Sequence, residues 1–279
     1  MSSAVCIFPA EVLSVLHHPT ASAPGFKSRS SLPAAVGERN MNIRAVLCDI
    51  YQTLLEIGPP PVDAELRWTA LCRTALPEAT PQTLAEFALT AEGVVKREHA
   101  TAKAAGIVYP EVFWPAVACE AWPALASLHR QALDDFLFEH AHLQRVVRLM
   151  PYAAEVLRSL AERDVCLGLV SNSQPYTVRE LDAALSTVGL SRALFSADLC
   201  FFSFEHGFSK PDPHVFRSLA ARLARRGIAT AETLVVGDRD DNDISPSRAQ
   251  GFQTWRIKDG SAGARGGDWQ SLIEAFGGP

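Results

Sequence analysis

Two acidic stretches carry the residue types best suited to chemistry. In "VLCDIYQTLLEIG" an apolar run ends at Asp49, with Tyr51 two residues on. In "VVGDRDDNDI" another run ends at Asp238, and Asp240, Asp241 and Asp243 follow closely. Carboxylates so near one another repel unless water or a cation intervenes. Alone, the second stretch reads equally as a solvated turn with a helix cap. Behind a buried strand and beside Asp49, it supplies the hard oxygen ligands that Mg²⁺ requires. Asp49 is open to three roles: attacking carboxylate, metal ligand or cap. Asp238 is best placed as a ligand and Asp243 could reach a metal directly or through water. Asp240 and Asp241 are expected to face solvent or cap the next helix.

Three further residues fit the same chemistry. Lys210 lies in "FSKPDP", where two prolines fix the backbone around it. It reads either as an exposed lysine or as a point charge that neutralises Asp49 together with an anionic substrate. Ser171 and Asn172 end the run "VCLGLVSN". They are either a plain turn or a source of hydroxyl, amide and free backbone N–H groups for anionic oxygens.

These residues need a sheet to collect them. "IRAVLCD", "VCLGLVSN", "LCFF", "TLVVGD" and "FQTWRI" read as five strands. Helical patterns separate the later ones: residues 175–190 begin at Pro175 and end near Gly189, and residues 212–227 carry an Asp212 cap, Pro213 and a Gly227 stop. Strands alternating with helices predict an α/β fold with a parallel sheet covered on both faces. Ligands then bind beyond the carboxyl ends of the strands, where Asp49, Ser171 and Asp238 would meet. Between the first two strands lie about a hundred residues with helical signals only. There a Thr80 cap and Pro81 precede Leu84, Phe87, Ala91, Val94 and Val95 on one face. This all-helical insertion, residues 59–148, is positioned to close over the strand ends as a lid. His140 and His142 sit two apart in it, too close for a shared helical face, and are expected to face solvent.

The bulk numbers suit this reading. The chain has 279 residues, 48% hydrophobic and 20% charged, with a formal charge of −5. Such a balance argues against a nucleic-acid or anionic-membrane surface, and no apolar run is long enough to span a bilayer. Oligomeric state is not legible. Six scattered cysteines form no zinc spacing, which reads as reduced thiols in a cytoplasmic protein. Cys48 and Cys166 are expected to be small core residues. Residues 1–40 are Ser-, Ala- and Pro-rich without a period, lack a basic signal region, and are expected to be a disordered extension ahead of Met41.

Taken in order, the set resembles the haloacid dehalogenase (HAD) superfamily of hydrolases. The matches are the Asp49 loop with Thr53 and Leu54, the Ser171–Asn172 strand end, Lys210 in "KPDP", and Gly237, Asp238 and Asp243. The resemblance runs from Met41 onward and points to the subgroup with a helical cap between its first two motifs. It implies a Rossmann-like core of residues 41–58 and 149–279 and a cap of residues 59–148. It further implies that Asp49 is nucleophile and Mg²⁺ ligand, and that water opens an aspartyl-phosphate. The Tyr51 backbone carbonyl, Asp238 and Asp243 would complete the metal set, and Lys210 would steady the nucleophile. Ser171 would bind the transferring group, with Asn172, Tyr51 and Thr53 beside the substrate, a small phosphorylated metabolite.

Position 51 departs from that pattern. Most phosphatases of the superfamily carry there a second Asp that protonates the leaving group. Tyrosine, with an ordinary pKa near 10, is a poor substitute at neutral pH. Asp-x-Tyr is instead what the 2-haloacid dehalogenases carry, where Asp displaces halide from carbon without a proton. Those enzymes work without metal and generally lack the acid that Asp238 provides. The expectation is therefore a Mg²⁺-dependent phosphatase acting on an easily expelled leaving group. A 2-haloacid dehalogenase and a catalytically weak binding protein are the alternatives.

Overall fold

The computed structural model describes residues 42–258 and 266–275. The expected N-terminal extension and Met41 lie outside the described residues. So does Cys6.

Six strands form one parallel sheet in the order β5-β4-β1-β6-β7-β8. They are β1 (Ala45–Cys48), β4 (Cys166–Ser171), β5 (Phe195–Phe202), β6 (Thr233–Gly237), β7 (Gln253–Ile257) and β8 (Gly266–Gly267). Every residue of β1 is buried, as a strand covered on both faces requires. Alternate residues serve opposite faces. Val46 and Cys48 pack with Val156 and Leu157 of α5 (Ala153–Glu162), Leu181 and Leu185 of α6 (Pro175–Ser186), and Leu272 of the last described helix (Trp269–Ala275). Ala45 and Leu47 pack with Val215, Phe216 and Leu219 of α7 (Pro213–Arg225). Each fully buried valine, leucine or phenylalanine among these contributes about 1.5–3 kcal/mol.

Chain order reverses at β1, which has β4 on one side and β6 on the other. A crevice opens beyond the carboxyl ends of strands at such a point. The register sets Cys48 opposite Leu169 on one side and Val236 on the other. Asp49, Ser171 and Asp238 therefore all emerge at this edge, as the strand pattern predicts.

Helix ends follow local chemistry. Asp212 caps α7, its carboxylate accepting from the His214 N–H at 2.9 Å, and Gly227 takes the left-handed turn beyond the helix with φ +66°. In the insertion, the expected Thr80 cap is corrected: α2 runs Leu84–Ala104 and its cap is Thr83. Thr83 and Glu86 exchange bonds of 3.1 and 2.8 Å, a capping box that outcompetes a start at Pro81.

The insertion also holds α1 (Ala64–Ala75), α3 (Trp114–Ala121) and α4 (Arg130–Gln144). They share a core in which Trp68 lies 5.3 Å from Phe87 and edge-on to Phe136. The expectation of helices alone is corrected by β2 (Leu55–Gly58) and β3 (Val146–Leu149), an antiparallel pair at the entry and exit of the helical segment. Four residues each are too few to show a period. β3 crosses the boundary expected between residues 148 and 149. His140 is likewise corrected: it is buried against Trp68, Phe87 and Trp114, while His142 is half-buried. Cys48 is buried and Cys166 half-buried, and both are free thiols. No helix among the described residues is long and apolar enough to cross a membrane.

Candidate active site

The site is built on three strand ends and one loop. Asp49 follows β1, and its N–H donates to Val236 O at 2.9 Å. Lys210 arrives from the loop before α7 and is held there by Asn172. The Asn172 amide donates to Lys210 O at 2.9 Å and accepts from Lys210 N at 2.8 Å. The lysine ammonium donates to Asp49 Oδ1 at 2.7 Å, Asp243 Oδ1 at 2.5 Å and Val170 O at 2.8 Å. All three of its protons are thereby used, and its side chain is only 2% exposed. Asp243 also accepts from the Arg239 N–H at 3.1 Å. Gly237 permits this approach, because a Cβ there would lie 2.4 Å from Asp243 Cβ.

Asp238 completes the cluster. One ligand oxygen from each of Asp49, Asp238 and Asp243 lies within 4.8 Å of the others. Burial pushes Asp49 up to about 7; Lys210 opposes this, while Asp243 and Asp238 add to it. Burial and then Asp243 push Asp238 up to about 6. Burial alone would depress Lys210, but Asp243 and Asp49 overcome it and hold its ammonium above the ordinary lysine range. Three ionised carboxylates against one ammonium are two positive charges short of balance. This donor set of hard oxygens fits a divalent cation such as Mg²⁺. Asp240 and Asp241 stay outside the cluster, as expected. They are exposed, Asp240 accepting from Ser245 Oγ and Asp241 pairing with Arg239.

Two hydroxyls at the same edge are buried without a partner: Ser171 Oγ and Thr53 Oγ1. A buried hydroxyl left unpaired costs about 1–3 kcal/mol, so both are suited to a ligand's oxygens. Asn172 and Tyr51, also expected beside the substrate, have their side chains engaged elsewhere. Asn172 clamps the Lys210 backbone. The Tyr51 hydroxyl donates to Glu180, accepts from Arg145 Nη2 at 2.6 Å and lies 3.0 Å from Thr177 Oγ1.

Arg145, Thr177 and Glu180 carry no signal in the sequence, being a helix-end cation and ordinary positions of α6. Glu111 is equally silent. It lies in the segment between α2 and α3 that docks on the strand ends. Its carboxyl accepts from Ser203 Oγ at 2.6 Å, Val112 N at 2.9 Å and Gln174 Nε2 at 3.1 Å. Burial pushes it up to about 7. Trp114 N donates to Gln174 Oε1 at 2.8 Å, and Glu111 N to Gly207 O at 3.0 Å. These bonds bring the helical insertion onto the segments that follow β4 and β5.

Comparison with known proteins bears on the fold and the family. A search of curated proteins found no match to the chain. A 2-haloacid dehalogenase from Pseudomonas syringae pv. Tomato DC3000 is similar in structure, with a TM-score of 0.57 and 20% identity over 84% of this chain and 98% of that one. A HAD family enzyme from Bacteroides thetaiotaomicron has a TM-score of 0.52 and 16% identity, over 83% and 98%. A HAD phosphatase from Thermococcus onnurineus has 0.49 and 20%, over 85% and 99%. At these identities the likeness is one of fold. The family model described as haloacid dehalogenase-like hydrolase matches residues 43–251, most of the chain. With its parallel sheet and its acidic strand ends, the chain belongs to the haloacid dehalogenase-like hydrolases.

Proposed function

We propose that the protein is a phosphatase that uses Asp49 as nucleophile on a small anionic phosphate ester or anhydride. The observation that carries this reading is the charge imbalance of the cluster: Asp49, Asp238 and Asp243 against the Lys210 ammonium that bonds two of them. Mg²⁺ would be held by Asp49, Asp238, Asp243 and the backbone carbonyl of Tyr51, and would supply the positive charge that lets two anions approach. The Asp49 carboxylate attacks phosphorus as the bond to the leaving oxygen breaks. Lys210 orients Asp49 through its bond to Oδ1, which leaves Oδ2 for attack. Ser171 and Thr53 have hydroxyls free to bind the transferring oxygens. Water then opens the aspartyl-phosphate. The leaving oxygen takes no proton from position 51, so weakly basic leaving groups are favoured.

That same feature favours a second reading, displacement of halide from a 2-haloacid by Asp49, because halide departs without a proton. One panel separates the two: an aryl phosphate with and without Mg²⁺, and L-2-chloropropionate in EDTA. The phosphatase reading expects phosphate release only with Mg²⁺. Halide release in EDTA overturns it and establishes the second. Turnover of neither across a broad panel leaves binding as the function.

A further inference from the structure

We propose that Arg145, the residue joining α4 to β3, is a positioning residue that holds Tyr51 and, through it, the catalytic turn from Asp49 to Leu55. The inference rests on Asp49 as the reacting group, in either reaction above.

Arg145 lies where the chain leaves the last helix of the insertion. Its guanidinium donates from Nη2 to the Tyr51 hydroxyl at 2.6 Å and to Glu180 Oε2 at 3.0 Å, and from Nε to Glu180 Oε1 at 3.3 Å. It also lies over two rings, 4.8 Å from the centroid of Tyr51 and 5.3 Å from that of Tyr176. The Glu180 side chain is fully buried and that of Arg145 is 12% exposed. A planar, forked cation that stacks and bonds at once fixes its partners in a way a flexible ammonium does not. The phenol has one proton, and the strongest acceptor beside it is the Glu180 carboxylate. Tyr51 is therefore an anchor rather than an acid.

The turn it anchors needs holding. Gln52, the next residue, has φ +56°, a conformation that side chains other than glycine rarely adopt. Such backbone persists where its surroundings over-determine it. Here the surroundings are visible on both sides. Behind Gln52, the N–H groups of Leu54 and Leu55 both donate to Ile50 O at 2.8 Å. Ahead of it, Tyr51 is locked by Arg145, Glu180 and Thr177. One residue, Ile50, separates Tyr51 from Asp49, so a change in Arg145 reaches the nucleophile through a short stretch of main chain. The same arginine follows directly on the last helix of the insertion. The turn around Asp49 thus takes its reactive shape only while that segment is seated.

The test uses the full chain. Arg145→Met, Arg145→Lys and Tyr51→Phe are compared for p-nitrophenyl phosphate turnover with Mg²⁺, and for amide hydrogen exchange across residues 49–55. Displacing a reacting group by about 1 Å costs on the order of 10²-fold. The expected result is a kcat lower by about that factor in Arg145→Met, with KM little changed, and partial recovery in Arg145→Lys. Exchange at Leu54 and Leu55 should accelerate in Arg145→Met while the sheet strands keep wild-type protection. The double variant with Tyr51→Phe should be no worse than Arg145→Met alone, because both act along one path. Wild-type exchange at residues 49–55 in folded Arg145→Met overturns the proposal, as do additive effects in the double variant. If Arg145→Met does not fold, Tyr51→Phe and Glu180→Gln carry the same two readouts. Asp49→Asn serves as control: turnover that survives it refutes Asp49 as nucleophile, a failure separate from that of the exchange measurement. A wild-type protein inert toward phosphate leaves exchange to decide.

Discussion

Replacing Asp238 by Asn should make the metal-free protein more stable while making it indifferent to Mg²⁺. The carboxylate is pushed from 3.8 up to about 6, first by burial and then by Asp243. The folded state therefore holds that proton more tightly than the unfolded chain does. Stability is lost as pH rises from the ordinary carboxylate range through about 6, and the loss is complete above it. At about 1.36 kcal/mol per pH unit, and after allowance for solvent screening of a half-buried group, the loss is about 2 kcal/mol. Asn has nearly the same shape and no charge, so in EDTA at pH 7.5 the variant should unfold at higher urea by that amount. Wild type should gain about 2.7 kcal/mol from Mg²⁺ at a hundredfold excess over its dissociation constant, and the variant should gain little. Urea titrations of both proteins, with EDTA and with Mg²⁺, read all four values. A variant less stable than wild type in EDTA would refute the electrostatic reasoning. An equal Mg²⁺ gain in both would remove Asp238 from the ligand set.

Lys210→Met should abolish turnover and destabilise the fold by about 3–5 kcal/mol, because it strands Asp49 and Asp243 with no cation; chemical denaturation at neutral pH checks it. Gly237→Ala should cost activity through Asp243, whose carboxylate lies 2.5–2.6 Å from where the new methyl would sit. The loss should appear in kcat at saturating substrate. Glu111 sits at about 7 through burial, so its folded form binds the proton more tightly and stability falls as pH rises from the ordinary carboxylate range through 7. Glu111→Gln should flatten that fall, read as the difference in melting temperature between pH 5 and pH 8.

Much of the site was legible because its residues lie where strands end. A buried run that stops at an acid or a serine marks a strand end whatever the partners are, which is why Asp49, Ser171 and Asp238 could be placed on one edge. Lys210 was legible for a different reason, the two prolines, Pro211 and Pro213, that follow it. Helix limits were less so. Thr80 and Thr83 both precede the same apolar face, and only the reciprocal bonds with Glu86 select Thr83. β2 and β3 leave no period in four residues each, and it is their pairing with one another that makes them strands.

What the sequence by itself determined is the chemical inventory and its order: acids and serine at the mouths of buried strands, and a lysine just before a helix. The tertiary structure decided what each inventory member is free to do. Tyr51 is available or committed according to Arg145 and Glu180, which lie 94 and 129 residues away. His140, unremarkable on its own helix, is buried because the packing of Trp68, Phe87 and Trp114 encloses it. The physical reason is the same in both cases. Residue type sets which bonds a side chain can make, whereas burial and competing partners set which of them remain for a substrate.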